Sequence, residues 1–226
     1  MIPAPAGWDW YAERWSVLHG GYDPRRASPL VRGWLRVAYR IARTLAGWRV
    51  TPSAVTAAGV VLAAAVPAVV APAPTGGLPA AALVLLGALA DTADGALAVI
   101  TGRESRLGQV YDSVADRLSE AAWLLGLHLL GAPGWLAAGC LAVTWLHEYV
   151  RARATVAGMS EIGAVTVGER PTRVLLAFFG LACAGAVGLA APDLAAGTAT
   201  VAVAGWTALG AVGLIQLAAA VVRALR

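Results

Sequence analysis

Four aspartates fall between residues 91 and 116 in a largely apolar stretch: Asp91, Asp94, Asp112 and Asp116. Asp91 and Asp94 are three apart and share one helix face, while Asp112 and Asp116 are four apart and share another. Ionisable groups inside membrane helices are costly and rarely incidental. Four carboxylates in one cavity would repel one another, and one or two hard divalent cations would remove that repulsion. Magnesium takes oxygen ligands and bridges protein carboxylates to substrate phosphates. Two such ions can stabilise both the attacking and the leaving oxygen of a phosphoryl displacement. The chemistry expected is therefore phosphoryl-group transfer with two magnesium ions, manganese being the alternative. Gly95, Ala98 and Gly108 flank the carboxylates and leave room for a nucleotide against the helix backbone. Each taken singly is equally readable as a helix-packing residue.

These side chains need elements to hold them. Hydrophobic residues make up 59% of the 226-residue chain and charged residues only 13%, against about a quarter charged in a soluble domain. Windows of about 20 residues give six apolar spans, near 53–72, 78–99, 109–130, 134–157, 173–191 and 198–222. Pro72, Pro74 and Gly76-Gly77 separate the first pair, Gly131, Pro133 and Gly134 the second, and Pro192-Asp193 the third. All 17 Lys/Arg positions are arginine. Sixteen of them sit before the first span, at Arg103 and Arg106, between spans four and five, and at Arg223 and Arg226, whereas the three opposite connections carry none. Excess basic charge marks the cytoplasmic side, so both termini are expected there. The aspartates then fall at the cytoplasmic ends of spans two and three. The short loop between these spans makes them adjacent and antiparallel, and both pairs converge on one cavity.

The predicted fold class is an all-α membrane protein with six transmembrane helices preceded by an amphipathic surface helix. Residues 30–48 carry Arg32, Arg36, Arg40 and Arg43 on one face and Trp34, Val37, Ile41 and Leu45 on another. That pattern suits a helix lying in the headgroup layer. Two parts are expected: an N-terminal cytoplasmic segment over 1–50 and a transmembrane domain over 51–226. Residues 1–29 read as a short helix and loop at the membrane surface. They hold Asp9, Glu13 and Asp23 and have no apolar signal-peptide core. The net charge of +4 is read as arginines attracted to anionic lipid, not as a nucleic-acid surface. Cys140 and Cys183 lie in apolar stretches and read as packing residues.

The run Asp91-Thr92-Ala93-Asp94-Gly95-Ala96-Leu97-Ala98-Val99, followed after eight residues by Gly108, Asp112 and Asp116, resembles the signature of the CDP-alcohol phosphotransferase family. Every fixed position of D-x-x-D-G-x-x-A-R-x8-G-x-x-x-D-x-x-x-D matches except the arginine, where this chain has Val99. Thr51-Pro52-Ser53-Ala54-Val55-Thr56 is similar to the T-P-N-x-x-T entry of that family's first span, with Ser53 in place of Asn. The resemblance covers about residues 30–222. It implies a CDP-linked lipid donor, a small-alcohol acceptor, release of CMP, metal ligation by the four aspartates, Asp116 as general base and a homodimer in the bacterial plasma membrane. The missing arginine would sit close to the donor's pyrophosphate, and Arg103 or Arg106 in the same loop could supply the charge.

A second basic group lies on the same expected side: Arg151 and Arg153 at the end of span four, Arg170 and Arg173 at the start of span five. Guanidinium forks match phosphate oxygens, and a helix N-terminus adds N–H donors. The positive-inside rule alone would also place arginines there. Tyr149-Val150-Arg151-Ala152-Arg153-Ala154 with Glu169-Arg170-Pro171-Thr172-Arg173 resembles the actinobacterial phosphatidylinositol-phosphate synthase branch. That resemblance implies inositol phosphate as acceptor and these arginines as its phosphate ligands. Glycerol phosphate is the competing acceptor. A catalytically impaired family member and a transporter are the competing functions. His147 and His128 read as structural, Glu148 as an arginine partner or cavity residue, and Glu169 as fixing an arginine.

Overall fold

The computed structural model describes residues 7–18, 20–159 and 165–226, so residues 1–6 and 19 of the expected N-terminal segment lie outside it. Among the described residues all regular structure is helical: α1 Trp8–Leu18, α2 Pro29–Gly47, α3 Pro52–Val70, α4 Gly77–Thr101, α5 Arg106–Leu129, α6 Gly134–Val156, α7 Arg170–Ala190 and α8 Pro192–Leu225, with one 3-10 turn at Pro74–Gly76.

The six apolar windows correspond to α3 through α8, with two boundary differences. The helix of window five starts at Arg170 because Pro171 lies in its first turn, where a proline has no hydrogen bond to lose. Pro192 does not lie in a loop but opens α8, and Ala191 alone, at φ −149° and ψ 79°, makes the break. Four helices, α3, α4, α7 and α8, are long and apolar enough to cross a membrane. At 24 and 23 residues α5 and α6 are as long, but their acidic, basic and His side chains lower their hydropathy. Val201 (73% exposed) and Ile215 (69%) stand outward from α8, as lipid-facing residues do.

The chain forms two compact units, Met1–Val61 with Leu86–Asp116, and Leu62–Leu85 with Arg117–Arg226. In the first, α2 begins at Ser28, whose hydroxyl accepts the Val31 N–H at 3.4 Å, with Pro29 opening the helix. Leu35, Ala38, Tyr39 and Ala42 are its packed stripe, one position off the apolar face read from sequence. Val37 of that face is 44% exposed and remains available to lipid, while Arg36, Arg40 and Arg43 are exposed. Tyr11 and Tyr39 join Ala42, Val55, Ala96, Leu97 and Val99 in one apolar cluster, and burial pushes the Tyr11 phenol up from its ordinary range. The second unit has its own core, built around Val66, Val84, Trp123, Leu127, Leu181, Val203 and Trp206. Glycines permit the close approach of the α4 and α7 backbones: a Cβ on Gly77 would lie 2.4 Å from the Leu181 carbonyl oxygen, and one on Gly185 would lie 2.5 Å from Leu78 N.

Candidate metal site and phosphate-facing arginines

The turn between α4 and α5 positions the carboxylates. Arg103 N–H donates to the Ala98 carbonyl at 2.9 Å and Gly102 N–H to that of Val99 at 3.3 Å. This pattern ends a helix through a left-handed residue, and Gly102 takes that conformation at φ +62°. Ser105 then opens α5, accepting the Gly108 N–H on its hydroxyl at 3.0 Å. The reversal brings one ligand atom each of Asp91, Asp112 and Asp116 within 4.8 Å of one another. All three are half-buried. Three converging carboxylate oxygens with open approach are a donor set that fits a hard divalent cation.

Asp94 lies outside this group. It is buried (6% exposed), and its Oδ2 accepts the Thr56 hydroxyl at 2.5 Å. Thr56 therefore has a purpose in the Thr-Pro-Ser-x-x-Thr entry: it ties the start of α3 to the aspartate helix. A second tie escaped sequence reading, the Trp34 indole N–H donating to Thr92 Oγ1 at 3.0 Å. Gly95 is exposed and a Cβ there would meet nothing within 4 Å. Internal packing thus does not require glycine, and the position is open to a ligand. Gly108 differs, since its Cβ would lie 3.0 Å from Ser105 Oγ, and Ala98 is half-buried. Arg103 and Arg106 are both exposed on the same turn. A cavity of about 590 Å³ in this unit is lined by Gly7, Trp8, Tyr39, Arg40, Arg43 and Thr44. It belongs to the surface of α1 and α2, not to the metal group.

Val99 turns into the interior rather than toward open surface. It is 8% exposed, in the apolar cluster with Tyr11 and Tyr39, and α1 is further tied to the α4–α5 turn by an exposed Arg14–Glu104 pair at 3.3 Å. Val99→Arg should therefore not restore a missing contact. A guanidinium forced into that cluster should lower thermal stability by about 2 kcal/mol or more. A differential unfolding scan in detergent checks this, and an unchanged midpoint with raised donor affinity would refute it.

The second unit holds the four arginines and a charge network absent from the sequence reading. Glu120, 0% exposed, accepts Arg117 Nε at 2.7 Å, Arg117 Nη2 at 2.9 Å and Arg173 Nη1 at 2.9 Å. Arg173 Nη2 donates to Glu148 Oε1 at 2.7 Å, and Arg117 Nη1 lies 3.5 Å from Glu148 Oε2. Two arginines and two glutamates thus alternate in a closed, neutral ring, the form in which buried charge is tolerable. Arg173 Nε also donates to the Gly168 carbonyl at 2.7 Å. Arg173, expected as an anion ligand, is instead turned inward: Nε, Nη1 and Nη2 each have a partner inside the protein and it is 3% exposed. Arg117 and Glu120 were the signal available in sequence, two opposite charges one turn apart inside an apolar span.

Arg151 pairs with Glu169 and is half-buried, Arg153 is exposed, and the Arg170 guanidinium lies 6.0 Å from the Trp123 ring centroid. Glu148 and Glu169 each partner an arginine, as read from sequence. His128, with Nδ1 2.8 Å from the Ala132 carbonyl oxygen, closes the α5–α6 turn.

Residues 49–222 match the model of the CDP-alcohol phosphatidyltransferase family. An archaetidylinositol phosphate synthase of Pyrococcus horikoshii is 34% identical over 140 residues, 62% of this chain and 73% of that one. A phosphatidylinositol phosphate synthase of Cutibacterium acnes is 33% identical over 203 residues, 85% of this chain and 95% of that one. Among solved structures, the Mycobacterium tuberculosis phosphatidylinositol phosphate synthase with CDP-DAG bound has a TM-score of 0.64 and 25% identity, covering 82% of this chain and 94% of that one. The same synthase in complex with manganese and citrate has a TM-score of 0.62 at 24% identity, covering 81% and 88%, a likeness of fold.

Proposed function

Since the chain belongs to the CDP-alcohol phosphatidyltransferase family, we propose that it transfers a phosphatidyl group from CDP-diacylglycerol to an inositol phosphate and releases CMP. The meeting of Asp91, Asp112 and Asp116 oxygens within 4.8 Å carries this reading. Named relatives that make phosphatidylinositol phosphate and a fold neighbour holding CDP-DAG supply its donor and acceptor.

Asp91, Asp112 and Asp116 would hold a divalent cation, with Asp94, kept in place by Thr56, as the carboxylate for a second. When bound, such a cation lowers the energy of charge gathering on the phosphate oxygens. The protein's own part is as follows. The open surface at Gly95, with Ala98 and Gly108, receives the nucleotide, and Arg103 and Arg106 face its phosphates. Arg151, Arg153 and Arg170 bind the acceptor's phosphate, while Arg173 is scaffold. The acceptor hydroxyl oxygen forms a bond to the phosphorus bearing diacylglycerol, and the bond from that phosphorus to CMP breaks. Asp116 takes the hydroxyl proton as general base. The same proposal places six spans over residues 51–226 after a surface segment at 1–50, as a homodimer in a bacterial plasma membrane with both termini and the site cytoplasmic.

Purified protein given CDP-diacylglycerol, metal and either inositol phosphate, glycerol phosphate or free inositol tests the reading by CMP release and product mass. Inositol phosphate is expected to exceed each rival by about tenfold or more, because a site built around an anion rejects an acceptor lacking it. Faster turnover of glycerol phosphate would move the protein to a different acceptor. No CMP release with any of them would remove the activity.

A further inference from the structure

The fully buried imidazole of His147 has no role in transfer as described so far. His147, 1% exposed, stands between the charge ring and the turn that leads into α7. Its Nδ1 is 3.1 Å from Arg173 Nη2, and its Nε2 is 3.0 Å from Thr166 Oγ1. A guanidinium nitrogen has only hydrogens to offer, so Nδ1 must accept. The ring is then neutral, and the proton on Nε2 is donated to the Thr166 hydroxyl. A doubly protonated imidazole would set N–H against N–H across 3.1 Å, even though Glu148 Oε1 stands 3.3 Å away.

Thr166 passes this order on. Its hydroxyl oxygen accepts from His147 and from the Gly168 N–H at 3.3 Å, and its single hydrogen goes to Glu169 Oε1 at 3.0 Å. The full capacity of a hydroxyl, two acceptor sites and one donor, is used. Glu169 Oε1 further accepts the Thr166 N–H at 2.9 Å and the Arg151 guanidinium. Other elements hold the same turn. Val167 N–H donates to Gln216 Oε1 of α8 at 3.0 Å. A Cβ on Gly213 would lie 2.8 Å from Gly168 N and Cα, so only glycine allows this approach.

We propose that His147 and Thr166 are positioning residues for acceptor binding: the neutral imidazole, fixed by Arg173, orients the Thr166 hydroxyl, which fixes Glu169, which sets the Arg151 guanidinium. Two different ends are thereby joined. Arg173 and His147 are sealed in the core, while the Arg151 and Glu169 side chains are 23% and 27% exposed and can meet a solute. A long arginine side chain loses much rotamer freedom when held, and one already held by a fixed carboxylate loses less on binding an anion.

The inference rests on Arg151 binding the acceptor's phosphate, and the test separates the two ideas. Steady-state kinetics are compared for wild type, Thr166→Val and Thr166→Ser, using whichever phosphorylated acceptor the wild type turns over. Thr166→Val is expected to raise the acceptor KM about tenfold, the loss of one charge-linked hydrogen-bond path. The donor KM and kcat should stay within about twofold, and Thr166→Ser should restore the acceptor KM. If Thr166→Val does not accumulate as folded protein, Glu169→Gln carries the test with the same acceptor-selective rise expected. An unchanged acceptor KM, or equal changes for donor and acceptor, would overturn the relay. An Arg151→Gln variant with an ordinary acceptor KM would instead overturn the anion role on which the relay rests.

Discussion

Replacing Asp116 by Asn is expected to lower phosphatidyl transfer about a thousandfold, within the range of general-base losses, while CDP-diacylglycerol binding falls far less. The substitution keeps size and one oxygen. It removes the charge that takes the acceptor proton and one of the three carboxylates that meet within 4.8 Å. Asp91→Ala and Asp112→Ala should behave differently: each removes a ligand outright, so metal-dependent donor binding should weaken together with turnover. Single-turnover measurements with the donor pre-bound separate the two classes, because they read chemistry apart from binding. Near-wild-type single-turnover rates in Asp116→Asn would make some other group the base.

Arg173→Ala is expected to cause the largest loss of stability of any single change in the second unit. It leaves Glu120 and Glu148 facing Arg117 alone, one negative charge in excess in a setting where Arg173 is 3% and Glu120 0% exposed. Breaking a buried ion network in this way costs about 3–5 kcal/mol. For a chain of this size that lowers the unfolding midpoint by roughly 10 °C. The paired change Arg173→Gln with Glu120→Gln removes opposite charges together. It should recover part of the loss, since contacting partners are not additive. Thermal unfolding of the detergent-solubilised proteins reads both. A midpoint for Arg173→Ala within about 2 °C of wild type would show that the ring contributes little.

Helix positions were legible from the apolar windows because a long apolar run satisfies its backbone internally as a helix and so declares itself by length. The aspartate spacing and the short Gly102–Ser105 turn were likewise enough to bring Asp91, Asp112 and Asp116 together. Spacing could not tell which carboxylate would leave the group. That depended on Thr56, distant in sequence, whose hydroxyl claims Asp94. The fate of Val99 was hidden for the same reason, since α1 lies outside the resemblance and contributes Tyr11 to the cluster that buries it. Arg173 looked like an anion ligand because its place at the start of α7 is visible in sequence and its partners are not. Glu120 and Glu148 come from two other helices, and only packing shows that they absorb its donors. The Arg151–Glu169 pair joins the end of α6 to the residue before α7, which agrees with Glu169 read as fixing an arginine.

Manganese binding followed by electron paramagnetic resonance, with and without CDP, tests the metal group most directly. Wild-type protein should bind Mn²⁺, bind it more tightly when CDP is present, and lose both effects in Asp112→Asn. CDP bound as tightly in chelator as in manganese, or Mn²⁺ held equally well by Asp112→Asn, would contradict a cation shared between these carboxylates and the nucleotide.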